Sequence, residues 1–213
     1  MYRWVAFLAG LGLAAGAHAA DIQIEEAWIP MPDGVRLSAD LYRAGDAKRG
    51  APMPVLLEYL PYRKHEARAR NWPLYSYFVA RGYVVAAVDI RGTGNSEGRL
   101  IPYEYSAIEH ADGEAVIAWL SKQSWSNGSV GMFGISWGGF NSIQMAARKI
   151  PALKAIVAID ATEDLFQDDV HYMDGIMHLD SWEMSMDLDN ARPGAPEYRI
   201  DDDNFRNRFD TEP

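Results

Sequence analysis

From Phe78 to Ile159 the chain alternates between helix-patterned and strand-patterned segments, which limits the folds open to it more than any other feature. Leu74 to Arg81 is predicted as a helix stopped by Gly82. Tyr83 to Val88 is apolar on both faces, as a buried central strand is. Ile108, Ala111, Ala115, Val116, Trp119 and Leu120 recur at helical spacing, with Glu109, Asp112 and Glu114 between them as the polar face. Asn127-Gly128 reads as a turn, Val130 to Phe133 as a second buried strand, and Gly138 to Lys149 as a helix ended by Pro151. Leu153 to Ile159 is again strand-like. Such an order packs as a mostly parallel sheet covered by helices, the α/β class. Upstream, Pro54 to Tyr59 is a short apolar strand. Ile22 to Ile29 and Val35 to Tyr42 flank the turn residues Pro30, Pro32, Asp33 and Gly34, and predict an antiparallel hairpin at one sheet edge.

After Asp160 the strand pattern stops. Val170 to Asp189, rich in Met, Asp and His, is predicted as helix, and Pro193 to Pro196 breaks it. The charge changes at the same place. Residues 1–159 carry 16 Lys and Arg against 14 Asp and Glu, whereas residues 160–213 carry 4 against 16. At the other end, Arg3, the uncharged run Trp4 to Ala15 and the small residues of Ala17-His18-Ala19 have the form of a secretory signal cleaved after Ala19. The alternative, a membrane anchor, needs about 20 apolar residues. The expectation is an exported protein, periplasmic in a bacterium or secreted, with no membrane span after signal removal. The net charge of −10 argues against a nucleic-acid partner. The absence of cysteine excludes disulfides, zinc–thiolate sites and a cysteine nucleophile. No metal or cofactor site is expected.

The chemistry centres on Gly134-Ile135-Ser136-Trp137-Gly138, a G-x-S-x-G that follows one predicted strand and opens one predicted helix. In that context the glycines permit a tight, strained turn that presents Ser136 Oγ at the carboxyl end of the sheet. The helix N-terminus directs backbone N–H groups at an oxyanion forming there. Asp89-Ile90-Arg91-Gly92-Thr93-Gly94-Asn95-Ser96-Glu97-Gly98 also follows a strand. It lacks the third glycine of a dinucleotide fingerprint, so it reads as a rigid loop at the site's rim rather than a nucleotide cradle.

Together with Leu60-Pro61-Tyr62-Arg63-Lys64, these motifs, in this order, resemble the X-Pro dipeptidyl-peptidase-like branch of the α/β-hydrolases. That branch includes cocaine esterase-like hydrolases and α-amino-acid ester hydrolases. The resemblance covers roughly residues 25–175. With the signal peptide read above at 1–19, it implies the N-terminal part of an α/β-hydrolase core at 20–163 and the start of a helical cap at 164–213. It implies Ser136 as the nucleophile of a serine hydrolase acting on small ester, amide or peptide substrates through an acyl-enzyme. It also implies an oxyanion hole formed by the Tyr62 hydroxyl and the Trp137 backbone N–H. From the residues alone, Tyr62 reads instead as a half-buried aromatic at a strand end. Asp169, in Asp168-Asp169-Val170-His171-Tyr172, matches an acid that holds a substrate's α-ammonium, or else caps the helix expected from Val170. In such hydrolases the triad's acid and then its histidine follow the serine. Here only His171 and His178 follow it, in the segment expected to begin the cap. The catalytic Asp and His are therefore expected to be absent, leaving this chain inactive alone: a fragment, a truncated product or a degenerate, non-catalytic protein.

Overall fold

The computed structural model describes residues 21–45, 51–99, 105–168 and 172–177. The expectations for the signal sequence, for Asp169, His171 and His178, and for the acidic tail lie outside those residues. Six strands form one sheet: β1 (Ile22–Pro30), β2 (Arg36–Ala44), β3 (Met53–Leu60), β4 (Val84–Asp89), β5 (Ser126–Ile135) and β6 (Leu153–Ile159). Their order is β1-β2-β4-β3-β5-β6. β1 and β2 form the expected antiparallel hairpin, and β2 also runs antiparallel to β4. β4, β3, β5 and β6 are mutually parallel. Helices α1 (Lys64–Val79), α2 (Ala107–Ser121) and α3 (Trp137–Ala147) make the crossovers. The fold is the mixed, mostly parallel α/β sheet that the alternation predicts.

Strand alternation supplies two cores. Val84, Ala86 and Val88 of β4 face α2 and α3, in one cluster with Leu57, Tyr59, Val116, Ile117, Leu120 and Met145. Val85 and Ala87 face the other way, onto Tyr75 and Val79 of α1. Val157 and Ile159 on the far edge strand, and Ile135 at the end of its neighbour β5, are exposed.

Three local readings need correction. First, α1 begins ten residues before the predicted Leu74 and runs through Pro73. Its first two turns lack an apolar stripe because they bury charge instead. Lys64 Nζ, fully buried, donates to Asp40 Oδ1 at 2.8 Å, and Arg68 Nη2 reaches Asp40 Oδ2 at 2.7 Å. Second, Asn127-Gly128 is not a turn outside the strand. It is an irregularity within β5, at a register shift against β3, where Gly128 takes φ +86°. Third, Glu109 and Asp112 are not on a solvent face of α2 but are 1% and 2% exposed.

The segment predicted as helix from Val170 holds, at 172–177, a small antiparallel hairpin: β7 (Tyr172–Met173) and β8 (Ile176–Met177). Asp174 and Gly175 between them have φ +52° and +76°. Two successive left-handed residues with the sequence Asp-Gly match the twist of a two-residue hairpin loop. Among the described residues no helix is long and apolar enough to cross a membrane.

The buried charge cluster gives a stability prediction. Burial alone raises the Asp40 carboxyl pKa, but the bonds and charges of His65, Lys64 and Arg68 outweigh it and hold the group well below the carboxylate range. Removing one partner of a buried pair leaves the other charge uncompensated. Asp40→Asn should therefore cost about 3–5 kcal/mol, read from urea denaturation at neutral pH. Because the folded-state pKa is depressed, the wild-type contribution is complete above the ordinary value of 3.8 and fades as the pH falls below it. The deficit of the variant should shrink accordingly in acid. A deficit that is small at neutral pH, or independent of pH, contradicts this account.

Candidate active site

β3 lies between β4 and β5. The chain leaves β3 through α1 towards β4 on one side, and leaves β5 through α3 towards β6 on the other. Where the connections diverge, the carboxyl ends of adjacent parallel strands open a crevice, the usual ligand site of such sheets. Tyr62 lies just beyond the end of β3 and Ser136 just beyond the end of β5, so the topology sets the two on either side of that crevice.

Ser136 has φ +53° and ψ −122°, a conformation strained for a residue with a side chain. The turn is fixed from both ends. Ser136 N–H donates to the Ile159 carbonyl at 2.9 Å, and the Ser136 carbonyl accepts from Phe140 N–H at 2.9 Å. Close packing explains one motif glycine and its neighbour. A Cβ on Gly134 would lie 2.5 Å from the Gly138 carbonyl carbon, and one on Gly139 would lie 2.7 Å from the Ile159 oxygen. The strand and helix thus approach too closely for side chains, and Ser136 projects at their junction. The Tyr62 hydroxyl donates to Ser136 Oγ at 3.3 Å. Trp137 is the first residue of α3, so its N–H belongs to the first turn, which has no intrahelical acceptor.

The backbone just after Tyr62 is tied down by residues that no apolar pattern marks. Arg63, the N-cap of α1, has φ +57°. Lys64 N–H donates to Asp89 Oδ1 at 2.8 Å, and Asn95 N–H donates to Asp89 Oδ2 at 3.1 Å. Gly94 is needed there, since a Cβ would lie 2.2 Å from Asp89 Oδ2. Ser96 Oγ donates to the Asp89 carbonyl and accepts from Ser38 N–H. The loop after β4 thus folds around the Asp89 carboxylate at the strand's end, which also holds the backbone two residues after Tyr62. Burial pushes the Asp89 carboxyl up to about 6 against the pull of Lys64.

Two histidines lie among the described residues, and both are engaged away from Ser136. His65 shares the Lys64–Asp40 cluster, and His110 on α2 bonds Gln144 on α3. Asp168 is exposed, with its N–H bonded to the Asp164 carbonyl. No group of three or more His, Asp and Glu among the described residues is arranged to hold a metal ion.

The sheet, crossovers and strand-to-helix serine together define an α/β-hydrolase-type protein. Residues 33–210 match the family model of the X-Pro dipeptidyl-peptidases (S15 family), and the chain belongs to that family. It is 40% identical over 144 residues to the cocaine esterase of Rhodococcus sp. (strain MB1 Bresler), covering 65% of this chain and 24% of the esterase. It is 31% identical over 178 residues to a protein of Streptomyces avermitilis named as a candidate Xaa-Pro dipeptidyl-peptidase, covering 68% of this chain and 26% of that one. The chain therefore spans about a quarter of the length of these relatives. Among solved structures, an α-amino acid ester hydrolase superposes with a TM-score of 0.61 at 28% identity, covering 83% of this chain and 31% of that one. A CocE/NonD family hydrolase from Staphylococcus aureus superposes with a TM-score of 0.59 at 27% identity, covering 69% of this chain and 29% of that one.

Proposed function

We propose that this chain carries the nucleophile and oxyanion hole of a serine hydrolase that cleaves small esters or amides through an acyl-enzyme on Ser136. The observation that carries the proposal is the Tyr62 hydroxyl within hydrogen-bond reach of a serine on a strained strand-to-helix turn. Ser136 Oγ attacks the substrate carbonyl and loses its proton to a base. The carbonyl oxygen gains negative charge and lies between the Tyr62 hydroxyl and the Trp137 N–H. A phenol is neutral at pH 7 and donates to that oxygen without giving up its proton. The leaving group departs with a proton, and water attacks the acyl-enzyme by the same route in reverse. Both described histidines have other partners, so the base and the acid orienting it come from outside the described residues. An exported location fits the N-terminal sequence.

The relatives named as an esterase and a dipeptidyl-peptidase support both ester and amide substrates. An acid at Asp169, in the strongly acidic part of the chain, favours substrates with a free α-amino group. Because the chain spans about a quarter of the length of its relatives, we take it as part of a longer hydrolase. The test is a panel of activated acyl esters and aminoacyl esters given to that full-length protein, with residues 1–213 alone as the control. The full-length protein should turn over both classes and the control neither. Asp169→Asn should raise KM about 10- to 100-fold for aminoacyl esters and leave simple acyl esters unchanged, as loss of a charge-assisted hydrogen bond does. Equal losses on both classes would make Asp169 structural and leave a general serine esterase. No turnover of either class by the full-length protein would favour a non-catalytic member of the family.

A further inference from the structure

A backbone N–H stabilises an oxyanion only if its peptide is held at the right place, and at Trp137 the side chain supplies the hold. The indole is 3% exposed, and Nε1–H donates to Glu109 Oε1 at 2.7 Å. Asn141 Nδ2, one turn further along α3, donates to the same oxygen at 2.9 Å. Glu109 Oε2 accepts the backbone N–H of Tyr105 at 3.1 Å. Tyr105 has φ +56°, and its ring stands edge-on to the Trp137 indole with centroids 5.5 Å apart. Behind the carboxylate, the Tyr59 hydroxyl donates to the Glu109 carbonyl at 3.3 Å. One buried residue on α2 thus joins the start of α3 and the residue leading into α2 through its carboxylate, and β3 through its backbone carbonyl.

We propose that Glu109 is the positioning residue of the oxyanion hole, fixing the Trp137 peptide through the indole; this rests on the serine-hydrolase reading above. The chemistry requires an acceptor at both oxygens, because three N–H donors converge on them and none of these donors can also accept. An ionised carboxylate accepts at both oxygens. Glutamine has the same shape but one oxygen. Whichever way its amide turns, an N–H meets either the indole and Asn141 donors or the Tyr105 donor. The start of α3 must then shift, and misplacement of a catalytic group by about 1 Å can cost on the order of 100-fold in rate. Glu109 does not reach the substrate, so ground-state binding should be spared.

The test measures kcat and KM for Glu109→Gln, Trp137→Phe and the double variant in the full-length hydrolase, per active site titrated with a fluorophosphonate. Titration counts folded sites and removes a simple loss of stability from the comparison. Each single variant should lower kcat about 10- to 100-fold with KM within twofold. The double variant should fall within threefold of the worse single, because both changes break one contact. A kcat for Glu109→Gln within twofold of wild type, or losses that multiply in the double variant, would overturn the proposal. If Glu109→Gln gives no titratable sites, Trp137→Phe reads the same bond from its other end, and an unchanged kcat there would overturn it. Wild-type protein that is not titrated at Ser136 at all would instead refute the serine-hydrolase reading, and the role of Glu109 with it.

Discussion

Ser136→Ala should lower kcat of the full-length hydrolase by about 10⁵–10⁶-fold, the scale seen when a serine nucleophile is removed from an assembled site. The change deletes one oxygen. It leaves the backbone bonds that hold the turn, from Ser136 N–H to Ile159 and from Phe140 N–H to the residue 136 carbonyl. The protein should therefore keep its denaturation midpoint and its KM, and lose the chemical step. The measurement is steady-state hydrolysis of an activated ester, with urea denaturation run on the same preparation. Activity within tenfold of wild type would mean that another group attacks the carbonyl.

The second large effect is at Tyr62. Tyr62→Phe removes the hydroxyl 3.3 Å from Ser136 Oγ and keeps the ring, which packs against the core. Loss of one oxyanion donor should reduce kcat by about 10²–10³-fold with little change in KM, because the bond strengthens only as charge develops on the carbonyl oxygen. A variant whose KM rises while kcat holds would show that the phenol binds substrate rather than the transition state. A variant indistinguishable from wild type would return Tyr62 to a packing aromatic.

How much of this is visible in the sequence depends on what each residue packs against. The parallel sheet and the serine turn follow from apolar runs, glycines and helix periodicity, because there the fold is driven by burial of apolar surface. The first turns of α1 are not visible. Lys64 and Arg68 are anchored by Asp40, 24 and 28 residues away, and a charged residue carries no mark of a distant partner. Glu109 is missed for a related reason, since at helical spacing it falls in a polar slot although it is buried. Its one local signal is Ser106-x-x-Glu109, a capping-box pattern. Ser106 Oγ does accept from Glu109 N–H, but the carboxylate turns to Tyr105, Trp137 and Asn141, which spacing alone does not reveal. At 172–177 the Asp174-Gly175 hairpin signal is present but is submerged in a Met- and Asp-rich stretch that reads as helix. Tyr62 is a strand-end aromatic by pattern, and its partnership with Ser136 exists only once β3 and β5 lie side by side.

Acylation of Ser136 can be read directly. The full-length hydrolase should be incubated with a fluorophosphonate, digested, and mapped by mass spectrometry. The account predicts a single phosphonyl adduct on the peptide containing Ser136, formed in step with loss of esterase activity and absent in Ser136→Ala. An adduct on any other residue that forms in step with inactivation, or labelling that persists in Ser136→Ala, would contradict it.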